Sequence, residues 1–350
     1  MGYTLQHWIE KNAEASLIIS GHKWGEVNYT PDQSENYLRH GTMSFSYQGK
    51  LYGYVADWEN DSHRVFSGDS DNAAIDAMKL ALRWQNPLRN KHIQVMSGRR
   101  NGELDLKIRR TPKINLDGVV IDPTLREEMR ENTVYHLQNI NGDNGIILHG
   151  PPGTGKSLSC QAMIHETLAA GFSCCYVVGR IDFETFENFV EKYLSPCLII
   201  LEDIDTYAQN RRESPHSYFS DFLQFMSGLS EREEKIVVIA TTNHIDFLDE
   251  AIARRPVRFN RRFLISLPDE PQITALLDHY FDDSEALPEN AVEQCVDAGF
   301  TGAHISEIRR TAEIRSQKSN CSPGNCFQEA FDTVAGQFPR SQHESCGFVV

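Results

Sequence analysis

Gly150-Pro151-Pro152-Gly153-Thr154-Gly155-Lys156-Ser157 is the stretch that decides how the rest of the chain is read. It has the spacing G-x-x-x-x-G-K-[ST], follows the apolar run Gly145-Ile146-Ile147-Leu148-His149, and opens a helical pattern through Ser159, Ala162 and Ile164. Strand, turn and helix in that order make a cradle for phosphate. Glycine lets the backbone curl with its N–H groups inward, and the following helix N-terminus adds the positive end of its dipole. Lys156 supplies a mobile cation for the β- and γ-phosphates, and Ser157 a hydroxyl for Mg²⁺. A Gly-rich surface turn is the plain alternative, and the flanking pattern argues against it. The chain is therefore expected to bind a nucleotide.

Outward from this turn, strand candidates at 145–149, 173–178, 197–201, 236–240 and 263–267 are short, mostly apolar and separated by helical segments. A parallel sheet covered on both faces reads this way. From Glu270 the pattern turns helical, at 271–280, 288–297 and 303–316. The expected organisation is a small α+β domain over 1–112 that binds a client or partner, and a linker over 113–140. A nucleotide-binding α/β domain over 141–269, a helical lid over 270–316 and a polar tail over 317–350 follow. In the first domain, Thr42–Tyr47 and Leu51–Ala56 flank Gln48-Gly49-Lys50 as a hairpin signal, and Asn72 to Trp84 reads as a helix. Strands at 92–96 and 104–108 close that domain, joined by a turn at 97–102. Pro123 suits the first turn of a helix inside the linker. The tail keeps one amphipathic patch, Phe327, Phe331 and Val334.

Composition narrows the function classes. The 350 residues carry 49 acidic against 34 Lys and Arg side chains, a formal charge of −15, which disfavours duplex DNA or an anionic membrane as the main partner. No run approaches the roughly 18 uninterrupted apolar residues of a membrane span, and the N-terminus has no signal-peptide pattern. The expected setting is a reducing cytoplasm without membrane insertion. Of the eight cysteines, Cys160 and Cys197 fall in apolar runs. Cys321 and Cys326 sit in a Ser/Asn/Gly/Pro-rich stretch without a histidine cluster, so a plain or weakly redox-sensitive loop is favoured over zinc.

Strand 197–201 runs into Glu202-Asp203-Ile204-Asp205, at the carboxyl end where ligands of open α/β sheets bind. These carboxylates suit a Mg²⁺ held with Ser157, and the polarisation of an attacking water; capping of the next helix is the plain alternative. After strand 236–240 stands Asn243, whose amide has a donor and an acceptor for γ-phosphate and water, or which serves as a turn residue. The basic run Arg254–Arg262 is read either as a solvated or nucleic-acid face, or as the source of Arg255 and Arg258 reaching the γ-phosphate of a neighbouring subunit.

With these pieces placed, residues from about 115 to 316 resemble the AAA family of ATPases. The resemblance identifies Gly150 to Ser157, with Leu158, as the Walker A turn and Leu198 to Asp203 as Walker B. It makes Asn243 sensor 1, and places Arg255 and Arg258 on the arginine-finger positions. Gly299-Phe300-Thr301-Gly302-Ala303-His304 matches the start of the lid helix, with Gly302 and Ala303 near the adenine or ribose. It implies a P-loop NTPase fold: a three-layer αβα parallel sheet with a C-terminal helical lid, here joined to a small N-terminal α+β domain. It also implies ATP and Mg²⁺ as ligands and a ring, hexameric by resemblance. Leu201-Glu202-Asp203-Ile204-Asp205 and Thr241-Thr242-Asn243-His244-Ile245-Asp246 look most like the subgroup of the mitochondrial Rieske-protein translocase and its soluble bacterial and phage relatives.

Three departures bear on mechanism. The acidic pair is reversed, which gives Glu202 the metal side and Asp203 the water. Val257 and Asn260 replace a glycine and an aspartate of the finger motif. The stretch Gly179–Pro196 is short, with Phe183 read as a buried helix residue in preference to a pore residue. The leading expectation is an ATPase that remodels or moves a protein client. An ATP-dependent scaffold with slow hydrolysis and a nucleic-acid remodeller stand as alternatives.

Overall fold

A computed structural model describes residues 2–30, 33–47, 49–57, 62–67, 88–98, 103–208, 218–228, 235–246, 259–282 and 285–337. Arg255, Arg258, Val257 and the expected helix 72–84 lie outside the described residues.

The chain opens with a helix, Gly2–Asn12, and an antiparallel sheet of β1 (Ala15–Thr30), β2 (Gln33–Tyr47), β3 (Lys50–Asp57) and β4 (Ser62–Ser67), in the order β1-β2-β3-β4. The expected hairpin is β2–β3, with Met43 opposite Tyr54 and Phe45 opposite Tyr52. Period-two alternation puts Met43, Phe45, Tyr52 and Tyr54 on the face that buries Trp8 and Ile9 of the helix. Leu17, Ile19, Leu51 and Phe66 are exposed.

A second sheet has seven strands in the order β11-β7-β10-β9-β8-β5-β6. They are β5 (His92–Ser97), β6 (Leu104–Arg109), β7 (Asn144–His149), β8 (Ser173–Val177), β9 (Cys197–Leu201), β10 (Ile236–Thr242) and β11 (Arg261–Leu264). Neighbouring pairs from β11 to β5 are parallel, and β6 closes the edge antiparallel to β5. The boundary expected at residue 112 therefore does not follow the sheet. β5 pairs with β8, His92 opposite Cys174 and Val95 opposite Val177, so 92–109 belong to the same sheet as the strand before the glycine turn. Their half-exposed alternation resembles a local hairpin, and the partner strand lies about 80 residues downstream in sequence, where local pattern cannot see it.

Both sheet faces are covered, as the apolar runs require. On one face Ile147, Ile199, Leu201 and Val238 meet Phe183, Phe186 and Val190 of helix Phe183–Tyr193, and Phe222 and Phe225 of helix Tyr218–Gly228. Phe183 is 5% exposed and Phe186 fully buried, so this aromatic face is core; burying one such ring contributes roughly 1.5–3 kcal/mol. On the other face Ile146, Leu148, Leu198 and Ile200 meet Cys160, Met163 and Ile164 of helix Lys156–Ala169, together with Leu116, Val119, Ile121, Met129 and Leu137.

The expected linker 113–140 is thus part of the layered core. Asp122 caps helix Pro123–Arg130 through the N–H groups of Thr124 (2.8 Å) and Leu125 (3.1 Å). Arg130 then joins this segment to Glu166 on the helix behind the glycine turn, at 2.9 Å.

The lid core gathers Ile273 and Leu277 of helix Glu270–Tyr280, Cys295 of helix Ala291–Asp297, and Ile305 and Ile308 of helix Gly302–Ser319. It also takes Phe327, Ala330 and Val334 of a last helix, Phe327–Gln337. The expected polar tail from 317 is therefore, up to Gln337, a structural part of the lid: its amphipathic patch is a helix face.

Candidate nucleotide site

β7 ends at His149, paired with Leu264 of β11, and the chain turns at Gly150. Gly150 takes φ +146°, and a Cβ there would lie 2.1 Å from the carbonyl oxygen of Ile265. Only glycine lets the turn leave the sheet so close to its neighbour. Gly153 (φ +77°) touches the lid: a Cβ there would lie 2.6 Å from Thr301 Oγ1 and 3.0 Å from Ala303 Cβ. Gly155 (φ +105°) caps helix Lys156–Ala169 in the left-handed conformation.

A cavity of about 460 Å³ opens over this turn. Its floor is Pro152 to Leu158, and Asp203 and Asn243 enter from the carboxyl ends of β9 and β10. Apolar walls come from Val119, Val120 and Ile121, from Leu264 at the end of β11 and Ile265 just after it, and from Leu276 and Tyr280 of the lid. Gly302 and Ala303 line it at the start of the lid helix. An apolar wall beside a cationic, N–H-rich turn is the chemistry that a base joined to a phosphate chain asks for.

The Lys156 ammonium donates to the carbonyl oxygens of Gly150 and Pro151, both at 2.8 Å. Burial lowers its pKa, and the nearby Asp203 and Asp205 act against that shift. Gly150 and Pro151 thus stand behind the cavity and anchor the lysine. Ser157 is exposed at the cavity floor in the first turn of its helix. Thr154 braces the turn by donating from Oγ1 to the Pro151 carbonyl at 2.9 Å.

Two threonines that the motif reading quoted without giving them a role hold the acidic corner. Thr241 Oγ1 accepts from the Asp203 N–H at 3.0 Å, and Thr242 Oγ1 donates to the buried Asp205 carboxylate at 2.9 Å. The Ile204 N–H donates to the Thr241 carbonyl at 3.0 Å, so the ends of β9 and β10 are stitched together. Asp203 sits in the left-handed region at φ +51°, a conformation that Asp tolerates better than most residues. Beyond a threonine pair after an apolar strand, the sequence has no signal for this brace.

The reversed acidic pair separates in space. Asp203 is exposed and lines the cavity; Glu202 is not among the lining residues. The Glu202 carboxylate accepts a 2.6 Å hydrogen bond from the Tyr176 hydroxyl on β8. Burial and this hydrogen bond to a carboxylate hold the Tyr176 phenol above its ordinary pKa. Among the described residues the structure brings together Lys156, Ser157, Asp203, Asn243, Gly302 and Ala303, with Glu202 one step back.

The donor set fits a Mg²⁺–nucleotide: a primary hydroxyl and a carboxylate offer the hard oxygen ligands that the ion prefers. Ser157, with Glu202 acting through water from one step back, would hold it, and Asp203 would face the attacking water. When bound, Mg²⁺ supplies positive charge over the phosphates.

Residues 146–267 match the family described as ATPase family associated with various cellular activities (AAA). The chain is 30% identical over 201 residues to Protein CdcH of Halobacterium salinarum, covering 54% of this chain and 27% of that protein. It is 34% identical over 220 residues to human ATPase family AAA domain-containing protein 2, covering 57% of this chain and 15% of that protein. It therefore spans well under a third of either. The crystal structure of the FIGL-1 AAA domain superposes with a TM-score of 0.50 at 20% identity, over 65% of this chain and 84% of that one. At that identity the likeness shows the fold alone. Motif, cavity and family match converge on one stretch: the glycine turn, Asp203 and Asn243 all fall within residues 146–267, the part of the chain that is similar to the AAA ATPase family.

Proposed function

We propose that the cavity binds ATP with Mg²⁺ and hydrolyses it, and that copies of the chain assemble into a ring that uses the cycle to remodel or move a protein client. The observation that carries this reading is the convergence of Lys156, Asp203 and Asn243 on one cavity floored by the glycine turn. In this reading Lys156 neutralises the phosphates, Asn243 orients the attacking water, and Asp203, the acid at the cavity, accepts its proton. Arg255 and Arg258, outside the described residues, act on the site of a neighbouring copy as arginine fingers. The ring is hexameric in this proposal, with the first sheet and its helix as the client-facing part. The finer likeness, to soluble relatives of the Rieske-protein translocase, rests on the Glu202-Asp203 order and on the threonines before Asn243.

The test is ATP binding measured by calorimetry beside phosphate release, on wild type, Lys156→Ala and Asp203→Asn. Loss of the lysine should weaken ATP binding roughly 10- to 100-fold, the worth of a charge-assisted contact. Asp203→Asn should bind ATP and lose about 10²- to 10⁴-fold in turnover. Unchanged affinity in the first variant, or unchanged turnover in the second, would remove the corresponding assignment.

One observation favours a second reading, a nucleotide-dependent scaffold with slow hydrolysis. Tyr176 holds Glu202 off the cavity, which leaves the shorter Asp203 carboxylate at the reaction. Wild-type turnover equal to that of Lys156→Ala, with ATP still bound, would select it.

A further inference from the structure

The described thiols fall into two classes. Cys160, Cys174 and Cys175 are sealed in the layered core, where burial pushes each thiol's pKa up and keeps it unreactive. Cys197 is likewise buried, and Cys295 sits in the lid core, pushed up to about 12. Cys326 is buried too, its thiol pushed up to about 11 by the Cys321 sulfur beside it, but its neighbour Cys321 is not sealed in. Cys321 is partly exposed, and its Sγ lies 2.9 Å from Sγ of Cys326, closer than two unbonded sulfurs pack. A disulfide of about 2.05 Å asks for less than an ångström of further closure.

The chain around the pair is held in place. Asn320, in the left-handed conformation at φ +52°, ends the lid helix, and the Cys321 N–H donates back to the Ser316 carbonyl at 3.3 Å. The next turn is closed by the Asn325 N–H to Ser322 O at 3.1 Å and the Cys326 N–H to Pro323 O at 3.0 Å. Gly324 is pressed against the chain at 285–286: a Cβ there would lie 2.9 Å from the Ala286 carbonyl oxygen. Both sulfurs are thus presented to each other by fixed backbone. Among the described residues no third His, Cys, Asp or Glu stands with them as a metal site would need.

We propose that Cys321 and Cys326 form a peroxide-responsive dithiol that closes to an intramolecular disulfide. Cys321, the accessible sulfur, attacks hydrogen peroxide as the thiolate; an S–O bond forms, the O–O bond breaks and hydroxide leaves. The Cys326 sulfur then attacks the sulfenic sulfur, the S–O bond breaks, and the Cys326 proton leaves with the oxygen as water. Two thiols are oxidised by two electrons and one peroxide is reduced to two waters. The bond fastens the end of the helix that begins at the nucleotide cavity to the start of the last helix, beside the Arg315–Glu329 ion pair that joins the same two helices at 2.6 Å.

The full chain, exposed to hydrogen peroxide, blocked with N-ethylmaleimide and digested with trypsin, tests this. Peptide 319–340 carries both cysteines. It should lose two hydrogens in mass and take no maleimide, and dithiothreitol should restore two adducts. It should react at least about tenfold faster than Cys295, whose thiol is shielded. In Cys321→Ser, Cys326 should remain free to alkylate. Two adducts after peroxide, oxygen addition at Cys321 without ring closure, or bonding of either cysteine to Cys346 or to a second chain would each overturn the proposal.

Discussion

Gly153 is the residue at which two layers of the molecule meet. Its backbone is left-handed and its missing Cβ leaves room for Thr301 and Ala303 of the lid. Gly153→Ala therefore carries two penalties, a strained φ of roughly 1–3 kcal/mol and a clash that parts the turn from the lid. The expected outcome is ATP affinity lowered at least tenfold with the αβα layers intact, read by calorimetry beside circular dichroism. Retained affinity would mean that the lid is not part of the binding site. Residue by residue, the sequence was most legible where chemistry is local. The turn and its lysine are encoded within eight positions, and the strand before them explains their placement. Asp203 and Asn243 were legible because carboxyl ends of parallel strands point one way. Tyr176, Thr241 and Thr242 were not, because their roles depend on which strands lie side by side, a fact spread over about 65 residues of sequence.

Among the elements, the lid helix has the most unusual start. The Thr301 N–H donates to Nδ1 of His304 at 3.1 Å, so an imidazole does the capping work that a carboxamide or carboxylate usually does. Phe300 stacks on the ring, and burial lowers the His304 pKa below 6.5. The sign follows from a depressed folded value. The stability contributed is fully present above the unfolded pKa near 6.5, and is lost as pH falls from there through the folded one. Hydrogen exchange of the lid amides should show looser protection at about pH 5.5 than at about pH 7.5. His304→Gln, which can still accept the bond and cannot titrate, should flatten the difference; an unchanged pH response would place its origin elsewhere. The segment 113–140 is the element whose role local pattern hid. Its polarity reads as a connection, yet Arg130 is bound to Glu166, Asp117 and Glu127 at once, and Leu116 donates to Glu166 at 3.0 Å. Arg130→Met should cost about 1–3 kcal/mol in urea unfolding, since Glu166 would stay half-buried without its partner; a change within experimental error would show the segment docked by apolar contacts alone.

At the scale of the whole molecule the proposal makes the site incomplete on one chain, since it draws Arg255 and Arg258 from a neighbouring copy. Turnover per chain should climb with protein concentration and then saturate. Arg255→Ala should bind ATP normally and lose about 10³-fold in turnover, and mixing it with Lys156→Ala should restore part of the activity through mixed interfaces. Full activity of Arg255→Ala alone would return that arginine to the solvated surface. The fold class was legible here from five apolar runs and the helices between them. The extent of each unit was not, because the sheet takes its last two strands from before the turn and the lid takes its last helix from the tail.

That sheet order has a practical consequence for anyone dissecting the chain. A fragment begun at residue 113, where the expected linker starts, would strip β5 and β6 from the sheet and leave the hydrogen-bonding edge of β8 bare. The flanks of that edge are Cys174, Cys175 and Val177, all buried in the intact chain. An open strand of this kind pairs with whatever strand it meets, so such a fragment should precipitate where one begun ahead of Leu88 stays dispersed.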